Sequence, residues 1–227
     1  MINPTVNIMP FLADLERNNN KPWFDKNRNR YKAAAADFQQ MITDIIGLLS
    51  DTDKELLGVT AKQSIYRIYR DLRFSPDKTP YKTHFAANIA VGGKNTPRCG
   101  FYVQLEPERS MCGGGLWIED KNILKAVRDE LAVVPEDLVE ILEKPSFKKF
   151  FPDGLWDYMK LKKVPNGYNS DAPHAELLKY KHFIVTNNLS DNQLASPDLY
   201  KHIVSVHHEV FPMLRLFNSI LEDAELI

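Results

Sequence analysis

The sequence predicts an α+β protein: an antiparallel β-meander of four or more strands, with helices from both chain ends packed on it. Three observations carry this. Apolar residues recur at helical steps of three, four and seven before residue 60 and again after residue 119. Between these regions, residues 64–118 switch to strict alternation. The loops inside that alternating stretch are too short for the crossover that parallel strands require.

The helical start comes first. "PFLADLERNN" carries Phe11, Leu12 and Leu15 on one stripe and breaks at "NNNKP". Pro22 then suits the first turn of a second helix, in which Trp23, Phe24, Tyr31, Phe38, Ile42, Ile45 and Leu49 keep helical spacing. In the middle, "THFAANIAV" places Phe85, Ala87, Ile89 and Val91 on one face, and "CGFYVQL" does the same for Cys99, Phe101, Val103 and Leu105. With "SIYRIYRDL" before and "MCGGGLW" after, these make the meander. Toward the end, Leu124, Val127 and Leu131 form a stripe, as do Leu138, Ile141 and Leu142. Residues 145–170 read as irregular, and "KHFIVTN" reads as a short strand. The clearest helix runs from Ser196 and Pro197 through Leu199, Ile203, Val206, Val210, Leu214, Phe217 and Leu221. The chain thus reads as a single domain, 1–227, with helices over 10–60, a sheet over 64–118 and a helical part over 119–227.

Composition narrows the function classes. With 44% hydrophobic and 11% aromatic residues among 227, the chain can bury a core without a disulfide scaffold. Lys+Arg number 29 against 30 Asp+Glu, so net charge is −1 and a nucleic-acid partner is disfavoured; any anion site must be local. No run approaches ~18 apolar residues, and the N-terminus lacks a basic start followed by an apolar run, so neither a membrane partner nor a signal peptide is expected. Cys99 and Cys112 form no CxxC and are expected as free thiols in a cytoplasmic protein. The histidines 202, 207 and 208 lack HExxH spacing, and "GGG" at 113–115 lacks a following GK[ST], so no metal or cofactor is expected.

The chemistry concentrates in "RIYRDLRFSPDKTPYK", residues 67–82, with three arginines, two lysines, two aspartates and two tyrosines. A strand over 65–73 puts Arg67, Tyr69, Asp71 and Arg73 on one face. Pairing across "SPDKTP" sets Asp71 opposite His84 and Arg67 opposite Asn88. Continuing across "GGKNTP" sets Asn88 near Tyr102, and Ala86 near Gln104. The small residues Ala86 and Gly114 leave room among them. Such a face, rimmed by Lys78 and Lys82 and closed by a loop bearing Tyr168, suits a phosphate or carboxylate ligand, because guanidinium forks hold such groups with two parallel bonds. His84 beside Asp71 is the candidate proton shuttle. The alternative is a non-catalytic structural or protein-interaction module, in which Arg67 and Arg73 pair with Asp71 and Asp77. Trp23, Asn27, Arg28 and Tyr31 form a further polar-aromatic stripe, which as core packing needs no ligand.

Four segments in order, "FLADLERNNNKPWFDKNRNRYK", "RIYRDLRFSPDKTPYKTHFA", "GGGLW" and "VPNGYNSDAPHAELLKYKHF", resemble the family known as domain of unknown function 2461. The resemblance spans about residues 10–215. It implies that the helix pair, the sheet and the late "VPNGY" loop belong to one pattern, and it carries no catalytic assignment.

Overall fold

A computed structural model describes residues 5–73 and 75–227. The helices are α1 (Ile8–Arg17), α2 (Lys21–Lys26), α3 (Arg28–Leu49), α4 (Ala61–Ser64), α5 (Lys121–Val133), α6 (Glu136–Glu143), α7 (Pro145–Phe150), α8 (Asp191–Leu194) and α9 (Leu199–Asp223). The strands are β1 (Phe85–Ile89), β2 (Gly100–Leu105), β3 (Met111–Leu116) and β4 (Phe183–Asn188). They form an open antiparallel sheet in the order β1-β2-β3-β4, so the fold is α+β.

The chain divides into two compact units. One comprises the residues up to Lys94, Tyr102–Cys112 and Asn188–Ser205; the other comprises Asn95–Phe101, Gly113–Asn187 and Val206–Ile227.

In the first unit, α1 buries Ile8, Phe11, Leu12 and Leu15, the stripe expected from their spacing. Each such side chain, fully withdrawn from water, contributes about 1.5–3 kcal/mol. The helix expected from Pro22 to Leu49 is interrupted at Asn27. Its backbone N–H bonds back to Trp23 and Phe24 carbonyls, and its side-chain amide also donates to the Trp23 carbonyl at 2.9 Å. This closes α2 before α3 starts. Phe24 then stacks on Tyr81 with 3.9 Å between ring centroids, while Phe11 and Phe38 both stack on Phe85. Helices α3 and α4 pack on β1.

The segment expected as the first strand of the meander is not one of the named strands. It touches its neighbour through two isolated antiparallel bridges, Ile65 to Ala87 and Tyr69 to Tyr81. The hydrogen bonds explain why. Tyr66 N–H donates to Ala86 O, whereas Lys82 N–H donates to Ile68 O. Between these two bonds lies only Arg67 on one side, but Thr83, His84 and Phe85 on the other. The extra residues form a bulge that shifts the register and ends regular pairing. The fourth strand of the sheet is instead "FIVTNN", the short strand expected near 181–187.

In the second unit, the glycines of "GGG" admit β4 rather than a ligand. A Cβ on Gly113 would lie 2.1 Å from Val185 O, and one on Gly115, whose φ is +142°, would lie 2.0 Å from Phe183 O. A Cβ on Gly114 would press on Val210 and Leu214 of α9, so this position supports helix packing and is not the open space expected on a polar face. Residues 145–170 are largely irregular, apart from α7, which Pro145 opens. Phe183 packs on Phe217 of α9 at 4.9 Å. Cys99 and Cys112 are both free and buried, and burial raises both thiol pKa values. Among the described residues, no helix is long and apolar enough to cross a membrane, and no group of three or more His, Cys, Asp or Glu side chains could hold a metal ion.

Candidate functional site

The polar residues around the expected face in the first unit sort into three groups. The first is the loop after Tyr69. Arg70 folds over it, bonding Asp77 and Thr79 and reaching Ser75 Oγ at 3.3 Å. Arg73 grips Asp71 through Nε at 3.0 Å and an η nitrogen at 2.7 Å. Lys78 Nζ donates to the Leu72 carbonyl at 3.0 Å. These contacts hold Asp71 and Asp77 as carboxylates, each with a pKa pushed down to about 2. For Asp71 the cause is the Arg73 guanidinium; for Asp77 it is first the Thr79 backbone N–H and then Arg70. Asp71 is therefore the partner of Arg73 and not of His84. The expected pairing failed because Tyr69 bridges Tyr81, with Arg70 N–H donating to Pro80 O, and the Thr83–His84 bulge sets His84 outside that register.

The second group centres on Glu106, just beyond β2. Its side chain is 9% exposed. One carboxylate oxygen, Oε1, accepts from Thr83 Oγ1 at 2.6 Å and from Arg109 at 3.1 Å; the other accepts from Gln104 Nε2 at 3.0 Å. Gln104 Oε1 in turn accepts from the Tyr102 hydroxyl at 2.7 Å. Ser110 donates to the Glu106 carbonyl and accepts from its N–H, closing the turn into β3. Arg109 also reaches Glu16 of α1 at 3.0 Å. His84 Nδ1 lies 4.0 Å from Glu106 Oε1. Burial lowers the His84 pKa, with Glu106 opposing and Lys82 and Arg109 reinforcing that shift.

The third group is Arg67, Lys82 and Tyr66. Arg67 is exposed and Lys82 half-buried. The Lys82 ammonium sits over the Tyr66 ring, 5.2 Å from its centroid. Tyr66 OH donates to the Lys94 carbonyl at 3.4 Å. Burial, and after it repulsion by the Arg67 guanidinium, lower the Lys82 pKa. Among the described residues, neither of these two cationic groups has a hydrogen-bond or ion-pair partner.

The expected face is therefore divided. Arg67, Lys82, His84, Tyr102 and Gln104 fall in two adjoining groups, linked by the Lys82–His84 repulsion. Arg73, Lys78 and Asp71 belong to the loop. Tyr69 is 47% exposed, and its ring packs at a tilt against Phe24 and Tyr81. Asn88 is half-buried on β1. In the second unit, Tyr168 donates to Asp129 of α5 at 2.8 Å. Of the polar-aromatic stripe, Tyr31 packs against Phe24, and Arg28 pairs with Asp25.

Glu106, Thr83, Arg109 and Tyr66 were not expected in the site. Glu106 continues the two-residue alternation of Tyr102 and Gln104, which is the signal that could have found it. Its place before Pro107 in "EPERS" made it read as part of a turn.

Residues 7–215 match the family described as "Conserved hypothetical protein (DUF2461)", and the chain belongs to that family. No curated protein and no solved structure matches the chain.

Proposed function

We propose that the first unit binds a small molecule through an anionic group, phosphate or carboxylate, held by Arg67 and Lys82. Tyr66 lies beneath Lys82, and His84 and Tyr102 border the site. One observation carries this reading. Arg70, Arg73 and Arg109 all bond carboxylates of the protein, whereas Arg67 and Lys82 oppose each other and, among the described residues, form no ion pair; the Asp71 carboxylate that Arg67 also attracts is already gripped by Arg73. Two adjacent cations kept without an acceptor weaken the fold unless a ligand supplies the missing charge. Arg67 provides a planar fork for two oxygens, and Lys82 a point charge. The expectation of a purely structural cluster fits Arg70, Arg73 and the Glu106 network, and stops at these two residues. A cytoplasmic location accompanies this reading, since two free cysteines suit a reducing compartment.

A thermal-shift panel of phosphorylated and carboxylated metabolites tests the proposal. A ligand at 100 times its dissociation constant adds about 2.7 kcal/mol to the native state. At least one member should raise the melting temperature of the wild type and fail to do so for Arg67→Met. If a full panel of both classes raises neither melting temperature, the anion reading is wrong.

A further inference from the structure

Exposed aromatic rings gather at one place in the second unit. Trp117, which directly follows β3, and Tyr158 and Met159 are each about half exposed. Tyr158 and Met159 form the tip of a turn that Lys160 N–H closes on Asp157 O at 2.9 Å. Met159 takes a φ of +58° at the third turn position, where glycine is the default. The turn is tied down at both ends: Trp156 N–H donates to Ile184 O at 2.9 Å, and Leu161 N–H to Lys179 O at 2.8 Å. Trp117 is held in turn by two neighbours. Its ring stacks on His182 with 4.1 Å between centroids and 13° between planes. His182 is itself buried, and Ile118 N–H donates to its Nδ1 at 3.2 Å. Nδ1 is therefore an unprotonated acceptor and the imidazole neutral; burial, and after it Lys181, act in that direction against Glu119. At the indole edge, Trp117 Nε1–H donates to Glu119 Oε1 at 3.3 Å. The Tyr158 ring lies 6.1 Å from Trp117 and 6.0 Å from His182, tilted from them by only 21° and 24°.

Single exposed apolar residues are ordinary, whereas a fixed group of them marks a contact surface. His182 takes one face of the indole, and the half of Trp117 left in water offers the other. Aromatic faces attract cations, and tryptophan does so most strongly. The charged group bonded to these rings is a carboxylate, and among the described residues Glu119 Oε2 has no hydrogen-bond partner. We propose that Trp117, Tyr158 and Glu119 form a docking surface for an arginine side chain of a partner protein. The guanidinium lies flat on the indole, and an N–H of its fork meets Glu119. A guanidinium suits this place better than an ammonium, because it is planar, weakly hydrated and able to stack. An anionic partner is repelled by Glu119, and a purely apolar one leaves that carboxylate unmet. Because the rings are already fixed in the free protein, docking has few side chains to order. The surface lies wholly in the second unit and is independent of the anion site at Arg67 and Lys82.

The probe is the peptide acetyl-Gly-Arg-Gly-amide. The same peptide with citrulline for arginine is its uncharged counterpart of like shape, and methyl glucoside is a neutral ring. The indole N–H resonances of the full chain are followed by NMR as each is added. The Trp117 resonance is assigned by its loss in Trp117→Leu, and Trp23, in the first unit, is the internal reference. The arginine peptide should move the Trp117 resonance and leave that of Trp23 in place, while the citrulline peptide and the glucoside should move it little. Glu119→Gln leaves the rings in place, and in it the affinity for the arginine peptide should fall about two- to fivefold, the range of an exposed ion pair. The arginine surface is overturned if the arginine peptide leaves Trp117 unmoved, if the citrulline peptide moves it equally, or if Glu119→Gln binds as well as the wild type. A response to the glucoside alone would overturn it in favour of a sugar-stacking surface.

Discussion

Glu106 and Lys82 are both ionisable groups drawn back from water, and they differ in what meets them. Glu106 receives Thr83, Gln104 and Arg109 on two oxygens. Lys82 receives the face of Tyr66 and the repulsion of Arg67. A buried charge that is fully hydrogen-bonded specifies structure, and removing one partner is expensive. A half-buried charge met only by an aromatic face, with a like charge acting on it, gives the fold little, and a ligand of opposite charge would complete it. The difference lies in local matching, because both residues sit in the same unit and their groups adjoin.

The comparison can be broken most forcefully at Glu106. Glu106→Ala leaves three donors without their acceptor and should cost about 3–5 kcal/mol, read as a fall in the urea midpoint at unchanged slope. If the midpoint barely moves, the network is not holding the turn. Next comes His207, a buried group matched on neither principle. Among the described residues its Nδ1 has no hydrogen-bond partner, Phe101 meets it edge-on at 5.2 Å, and burial lowers its pKa from 6.5 to about 4. A histidine with a depressed folded-state pKa is held neutral, so its contribution is intact above pH 6.5 and is lost as pH falls toward 4. That loss amounts to about 3 kcal/mol. His207→Phe should remove it from the pH dependence of stability measured by denaturant unfolding. Smaller still is Thr83→Val, which deletes one bond to a charged acceptor and should cost about 2 kcal/mol in the same assay. At the small end lies Arg73→Ala. Its bonds to Asp71 are well formed but lie in solvent, and its midpoint should match the wild type within error.

Alternation predicted β1 and β2, and those strands, with β3 after them, stand where the sequence places them. The α9 stripe is equally plain, because nine buried apolar side chains from Leu199 to Leu221 keep helical spacing. The strand at 65–73 shows the same alternation yet lacks a ladder. A bulge adds residues without disturbing local pattern, so Thr83 and His84 read as ordinary strand positions. That shift dissolved the Asp71–His84 pair and brought Glu106 to the histidine instead. Pairings also depend on which partner lies nearest, and alternation is silent on that. Arg70, which alternation sets off the face of Arg67, Tyr69, Asp71 and Arg73, is the hub of its loop. Arg73, expected either on the ligand face or paired with an aspartate, and Lys78, expected at the rim, are taken up within two and six residues of chain.

The central claim is that Arg67 and Lys82 are held for a ligand at some cost to the empty protein. The direct measurement is the melting temperature of Arg67→Met/Lys82→Met beside the wild type, each with and without sulfate. Removing two opposed cations should leave the anion-free melting temperature equal or higher, and sulfate, which raises that of the wild type, should have no effect on the variant. A variant that melts well below the wild type without sulfate, or that gains as much from sulfate, would contradict the account.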